Sequence, residues 1–433
     1  MHRIGRLWAR LKESLWALPA LISVGLATLA VAAVAVDARL AAAGHLLPVS
    51  LVAGAEGARG VLATVAGSLI TVTGVVFSIT IVALQLASSQ YTPRILRSFR
   101  SDRSNQAVLG VLIGTFTYSL IVLVTVRSEI EDSSRFIPVV AITGALVLCL
   151  TSVGLLIYFI HHIARMIQAE AIIDRVTRQA IAVVDHLFPD EEDGRRSATT
   201  SPSPPCAHGG TGLVVKAERG GYLQAVSERD LMSVAADADA LIRVERRLGE
   251  FVLPAEPLAT VFSSGGSEVD ASDGLDAVRR AFEIGEERTN QQDVERGVIE
   301  LTDIGVRALS PGINDPTTAL VCIDRLTEVL SRLGSRRFPE PDRRGPDGAV
   351  RVVMPQLDFA QTIRLAFTPL RHHGAANPTV AVRLARALAR IAARVPRERA
   401  EPALEELREV LDAAERGLPA ARDRARVVAA ANG

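Results

Sequence analysis

Cysteine is almost absent from this 433-residue chain. Cys149, Cys206 and Cys322 are all it has, and no two form a CxxC pair. That excludes a disulfide scaffold and a multi-thiolate zinc site. Lysine is scarcer still, with Lys12 and Lys216 alone, so nearly all the positive charge is arginine. Net charge is missing too: 48 Lys+Arg balance 48 Asp+Glu. A dedicated nucleic-acid binder would ordinarily be basic, so none is expected. The chain contains no Walker A loop, HExxH, GxSxG or DFG motif, and these are the signatures that carry phosphoryl, metal-assisted or acyl-transfer chemistry. The expectation is a protein that is not an enzyme and has no catalytic residue, cofactor or metal.

What is present is hydrophobicity, in one place. The mean hydropathy is +0.25 although 22% of residues are charged. The apolar residues lie mostly in the first 170 positions. Charge-free runs extend over Leu15 to Val36, Gly60 to Ala87, Ala107 to Val126 and Phe136 to Ile160. Each is about 20 residues or longer, the length a helix needs to cross about 30 Å of hydrocarbon. Four membrane spans are expected. The first follows a basic segment with Arg3, Arg6, Arg10 and Lys12, and it is too long for a cleaved signal peptide. The tail, the loop after span two and the exit of span four carry nine Lys/Arg; the other two loops carry four, diluted by acids. The bias puts both termini, and the large C-terminal region, on the cytoplasmic side of the membrane. Residues 1–170 hold 13 Lys+Arg and 8 Asp+Glu, the remainder 35 and 40. The overall neutrality is thus a sum of two opposite halves.

The second span is unusual. Steps of four and three from Gly60 pick out Thr64, Gly67, Thr71, Gly74, Ser78, Ile81 and Gln85, seven of these eight being small or polar. Such steps trace one stripe of a helix. Two roles remain open for it: close packing against another helix, or the lining of a neutral polar pathway between copies of the chain. No span contains an ionisable residue, which disfavours a proton relay. Gly110 and Gly114 in span three form a GxxxG packing pair. Between spans two and three, Arg94, Arg97, Arg100 and Arg103 suit an interfacial segment that meets anionic lipid head groups. His161 and His162 end span four and point about 100° apart on a helix, so they do not readily chelate one metal. The helix is expected to run on to Leu187 as an amphipathic stalk.

The rest divides by composition. Residues 1–14 form a basic tail and 15–188 a four-span domain with its stalk. Residues 189–211 are an acidic, then Ser/Thr/Pro-rich linker with little to bury. Residues 212–264 alternate as strands do and resemble the barrel-sandwich module of lipoyl and biotinyl domains, although no lysine occupies a hairpin tip. Residues 270–430 read as mainly helical. The fold class is therefore an α-helical membrane domain followed by an α+β region with a small β module and then helices. Leu275, Val278, Phe282 and Gly285 suggest one helix face, and Val294, Val298, Leu301, Ile304 and Ala308 the next. In Ala308 to Ala319, Pro311-Gly312 stops a helix, while Asp315 and Pro316 cap and open another. Arg288, Gln292, Asp293, Asp303, Arg307, Asn314 and Asp315 are either a salt-bridged surface or a polar pocket facing that turn. Arg371-His372-His373-Gly374 is expected in a loop before a second cap-plus-proline start at Asn377-Pro378. Residues from Thr379 onward suggest a pair of packing or oligomerisation helices.

Glu283-Ile284-Gly285, Arg288-Thr289, Gln292-Asp293, Asp303-Ile304 and the stretch Ala308 to Ala319 resemble the central motif of a large family of predicted bacterial inner-membrane proteins, catalogued as a domain of unknown function. Val75 to Thr80, Leu84 to Gln90 with Pro93-Arg94, and Tyr158 to His162 match it as well. The resemblance runs from span one to about Leu388 and implies four spans with a cytoplasmic domain. It implies no activity, substrate or catalytic residue. The leading expectation is an oligomeric channel or transport-like assembly with a cytoplasmic sensing domain. The alternative is a membrane-anchored sensor or scaffold whose spans only pack. Expected partners are the bilayer, anionic head groups, further copies of the chain and an unidentified small ligand.

Overall fold

The structure, a computed structural model, describes residues 16–43, 54–90, 102–126, 137–166, 168–188, 212–263, 273–289, 292–355 and 357–432. The chain divides into two compact units, Met1–Ala171 and Ile172–Gly433.

In the first unit the apolar runs form four helices: α1 (Ala17–Ala42), α2 (Gly54–Gln90), α3 (Arg103–Thr125) and α4 (Val139–Met166). All four are long and apolar enough to cross a membrane, with mean hydropathy of 2.1 to 2.4 in their most apolar windows. Helix α3 is the hub and packs against the other three. Its GxxxG pair lies against α1: a Cβ on Gly114 would come within 2.6 Å of Leu26 Cδ1, and one on Gly110 within 3.0 Å of Pro19 Cα. Only hydrogen at those two positions allows the helices to approach so closely. Asp37, which the charge-free run places beyond span one, is inside α1 because nothing in the Ala-rich sequence stops the helix there. It is buried and accepts the backbone N–H groups of Val140 and Ala141 at 3.0 and 2.9 Å. The carboxylate thus caps the start of α4 from another helix. Tyr118 donates its hydroxyl to Ala141 O at 3.0 Å.

The unit boundary falls in the first turn of α5 (Ala169–Leu187), which is separate from α4 rather than continuous with it. This amphipathic helix buries Ile172, Ile173, Val176, Ala180 and Val184. Ala180 packs on Gly297, while Asp174 meets Arg325 and Asp185 holds Arg332 and Arg336. The apolar face of the stalk is therefore core of the second unit.

Strands β1 (Leu213–Lys216), β2 (Gly221–Val226), β3 (Ala240–Val244), β4 (Phe251–Val252), β5 (Pro257–Ser263), β6 (Phe282–Gly285), β7 (Asp342–Arg344) and β8 (Val350–Val353) build two sheets, with α6 (Glu228–Asp237) and α7 (Asp273–Arg280) among them. The sheet orders are β1-β5-β3-β8-β7 and β4-β2-β6. Pairing is antiparallel except between β3 and β8. Leu223, Leu231, Ile242, Leu258 and Val352 fill the shared core. Three strands come from beyond residue 264, so residues 212–264 are not a self-contained module. Phe282 to Gly285, read from spacing as helix, is a strand: Phe282 and Ile284 are buried and Glu283 is exposed, and the segment pairs with β2. Leu275, Val278 and Phe282, three and four residues apart, imitate one more helical turn, and the burial alternation of Phe282 to Gly285 decides against it.

The helices α8 (Val294–Ala308), α9 (Pro316–Ser335), α10 (Phe359–Gly374), α11 (Pro378–Arg394), α12 (Arg397–Gly417) and α13 (Ala421–Ala431) complete the unit. Where a pair of helices was expected after Thr379, three stand. Asp293, Asp315, Asp358 and Asn377 accept backbone N–H groups at the starts of α8, α9, α10 and α11. Each such cap is worth about 1 kcal/mol. The proline-opened starts at Pro316 and Pro378 are where the sequence places them.

Candidate functional site

Two regions collect the residues singled out above. The first is the stripe of α2. Leu62, Val65, Leu69 and Val76 are buried toward the rest of the unit. Gly60, Thr64, Gly67, Thr71, Gly74, Ser78, Ile81 and Gln85 are all exposed. A Cβ added to Gly60, Gly67 or Gly74 would meet nothing within 4 Å. Thr64 and Thr71 donate their hydroxyls to Gly60 O and Gly67 O, at 2.8 and 2.9 Å. Their oxygens still have lone pairs to offer outward. The stripe is therefore bare within one copy of the chain and is not the contact surface of α2 with α3 or α4. Next to it Ile70, Val75, Phe77, Ile79 and Val82 are exposed as well.

Arg94, Arg97 and Arg100 lie outside the described residues. Arg103 is exposed as the first residue of α3. Asp102 caps α3 through Ser104 N and Asn105 N, and His162 Nε2 lies 3.1 Å from Asp102 Oδ2. His162 stacks on Tyr158, whereas His161 is exposed. The two histidines do not share a partner.

The second region is a cleft of about 670 Å³ in the unit that holds the sheets. Its floor includes Phe338, Met354 and Leu357, and its rim Arg247, Gln292, Asp293 and Glu295. Asp293 is central. It caps α8 through Arg296 N at 3.1 Å and takes Arg288 in a two-point pair, Nε to Oδ2 at 2.5 Å and Nη2 to Oδ1 at 2.8 Å. Gly249 passes directly over that pair: with φ at +81°, its Cβ would fall against the Arg288 guanidinium and 2.5 Å from Asp293 Oδ2. Gln292 accepts the N–H of Val226 at the end of β2. Arg247 bridges Glu250 and Gln361, and Arg343 pairs with Glu228. Burial opposes ionisation of Arg288, but the bonds and charge of Asp293 outweigh it and hold the guanidinium above its ordinary pKa. Glu295 is pushed the other way from its ordinary ionised state: burial raises its pKa, and Arg288 offsets that only in part.

The seven residues of the proposed pocket are not one site. Arg288, Gln292 and Asp293 gather at the start of α8. Asp303 and Arg307 lie in its second half. Fifteen residues of helix separate its two ends by about 20 Å. Asp315 is occupied in capping α9, through Thr318 N and Thr318 Oγ1, and Asn314 is exposed in the turn with φ at +49°. Sequence reasoning missed Arg247, Glu250, Glu295, Arg343 and Gln361. Glu295 alone left a trace, as an acid in the first turn after a capping aspartate. Arg371, His372 and His373 belong to the last turn of α10 and not to a loop. There Arg371 binds Glu406 of α12, and both histidines are exposed. Among the described residues no group of three His, Cys, Asp or Glu is placed to hold a metal ion. The cleft combines apolar floor and charged rim, which suits binding an amphipathic small molecule.

Residues 12–390 match the model of a family described as "Predicted membrane protein (DUF2254)". The uncharacterized protein Mb1321c of Mycobacterium bovis is 35% identical over 425 residues, covering 97% of this chain and 80% of its own length. The uncharacterized protein Rv1290c of Mycobacterium tuberculosis matches with the same identity and coverage. No solved structure matches the chain. With four membrane-length helices and a family model that covers most of its length, the chain belongs to this family of predicted membrane proteins.

Proposed function

We propose that the protein is an oligomeric channel or transport-like assembly of a bacterial inner membrane, with both termini cytoplasmic and a cytoplasmic sensing domain, and without enzymatic activity of its own. The observation that carries this reading is the bare stripe of α2. Thr71, Ser78 and three glycines face away from every described helix of their own unit. A neutral small-and-polar stripe facing hydrocarbon gains nothing from lipid, whereas copies of α2 around an axis would turn it toward one another or toward water. The arginine bias of the loops supports the orientation, and the cleft at Asp293 provides a place for a sensed ligand. The second reading is a membrane-anchored sensor or scaffold. It is favoured by the hydroxyls of Thr64 and Thr71, which are already bonded within the helix, and by the exposed Ile, Val and Phe residues beside them.

Solute flux into liposomes reconstituted with the full chain tests the choice. Flux that Thr71→Leu and Ser78→Leu abolish supports the pathway. Absence of flux leaves the sensor reading, and flux unchanged in both variants refutes the stripe as its path.

A further inference from the structure

Between α9 and α11 runs a groove of about 810 Å³ that shares no lining residue with the cleft at Asp293. Five arginines line it: Arg325 and Arg332 from α9, and Arg383, Arg390 and Arg394 from α11. Only two carboxylates, Asp324 and Glu328, line it as well. Both are engaged: Asp324 takes Arg383 Nη1 at 2.7 and 2.6 Å, and Glu328 takes Arg325 at 2.9 Å. Arg332 is held by Asp185. Arg390 and Arg394 have no acidic partner among the described residues, and four positions apart they rise from the same face of α11. Ser331 lies on the opposite wall. It is buried, and its Oγ makes no hydrogen bond. An arginine in the last turn of α11 also complements the helix dipole, which accounts for Arg394 but for neither Arg390 nor the orphaned hydroxyl. Arg390 and Arg394 are both exposed, and two guanidiniums without an acidic partner favour a ligand with more than one negative charge over a monoanion. Paired N–H donors on one wall and a hydroxyl on the other match the several oxygens of a phosphate better than the two of a single carboxylate.

We propose that this groove binds a phosphate-bearing dianion or polyanion, through Arg390 and Arg394 with Ser331 as hydroxyl partner. The phosphate comes either from a soluble molecule, such as a di- or triphosphate, or from the head group of an acidic phospholipid. The site stands whether or not the spans conduct. Inorganic pyrophosphate titrated calorimetrically against the full chain in phosphatidylcholine nanodiscs, at fixed ionic strength, tests it. Saturable binding is expected. The R390Q/R394Q double variant should weaken it about tenfold or more, the loss of about 1.4 kcal/mol. Ser331→Ala should weaken it by a smaller factor, and Arg386→Gln, exposed on α11 outside the groove, should leave it unchanged. Repeating the titration in discs containing one-fifth phosphatidate separates the sources. A reduced apparent affinity for pyrophosphate identifies the lipid head group as the competing occupant, and an unchanged one identifies a soluble ligand. No saturable binding, or equal affinity in the double variant with its unfolding temperature intact, overturns the proposal.

Discussion

Removing Asp293 should be among the most damaging single changes in the second unit, because one carboxylate serves two structures. It is 4% exposed, and the paired Arg288 side chain 21%. Removing one partner of a buried pair strands the other, at a cost of about 3 kcal/mol or more, and a lost helix cap adds about 1 kcal/mol. Asp293→Ala should therefore cost about 4 kcal/mol. Arg288→Ala should cost less, about 2 kcal/mol, because Asp293 keeps its bond to Arg296 N. The double variant strands neither member of the pair, so the coupling between the two sites should be about 2–3 kcal/mol. Asp293→Asn, which retains an acceptor for the cap, should fall between wild type and alanine. For a unit of this size about 3 kcal/mol corresponds to roughly 6–12 °C in melting temperature. Scanning calorimetry on the detergent-solubilised chain can follow this. Both tryptophans, Trp8 and Trp16, lie in the first unit, so the transition of interest is the one that tryptophan fluorescence does not report. Coupling below about 0.5 kcal/mol, within the spread of independent sites, would refute the reasoning that Arg288 and Asp293 act as a buried unit.

Three further outcomes follow from other groups. Glu295 has a pKa raised chiefly by burial; its ionised form therefore costs stability, and the cost appears as pH rises from the ordinary glutamate range through its folded pKa. Glu295→Gln should melt higher than wild type at pH 8 and alike at pH 4; a pH-independent difference in melting temperature would contradict this. Cys322 is fully buried in α9, and its thiol is pushed up to about 12. With Cys149 and Cys206 replaced by serine, its alkylation at pH 8 should be about a thousandfold slower than that of an ordinary thiol of pKa near 8.5, and labelling at the ordinary rate would show that α9 opens. In the membrane unit, Asp37→Ala should strand the N–H groups of Val140 and Ala141 and destabilise that unit by about 1–2 kcal/mol. Asn should restore most of it, and a wild-type melting profile for the alanine variant would show that another group caps α4.

The legible parts of the sequence are those whose cause is local. A charge-free run of 20 residues has few fates, and the four helices are where such runs lie. Asp315-Pro316 and Asn377-Pro378 announce helix starts through a side-chain acceptor and a fixed φ three bonds away. The segment around Phe282 misled because Leu275, Val278 and Phe282 keep helical spacing across the end of α7. What settles it is the partner strand β2, some 60 residues earlier. The cleft was legible only at Arg288, Gln292 and Asp293, which are neighbours in sequence. Arg247 and Gln361 are 114 positions apart, and no spacing rule connects them. The stripe of α2 could be read as a pattern, but the side it faces depended on where Leu62, Val65 and Leu69 found their core.

The parallel pairing of β3 with β8 also has a consequence in time. On the ribosome, β3 is complete at Val244, and its neighbour arrives only when Val353 has been synthesised. At about 5–20 residues per second that interval is roughly 5–20 s. Throughout it β3 is an edge strand carrying Ile242 and Val244, with nothing on one flank but solvent or another nascent chain. Polysomes would place several such edges side by side. A chain halted before Asp342 would never cover them, and its misassembly should be visible as aggregates that the full-length chain does not form.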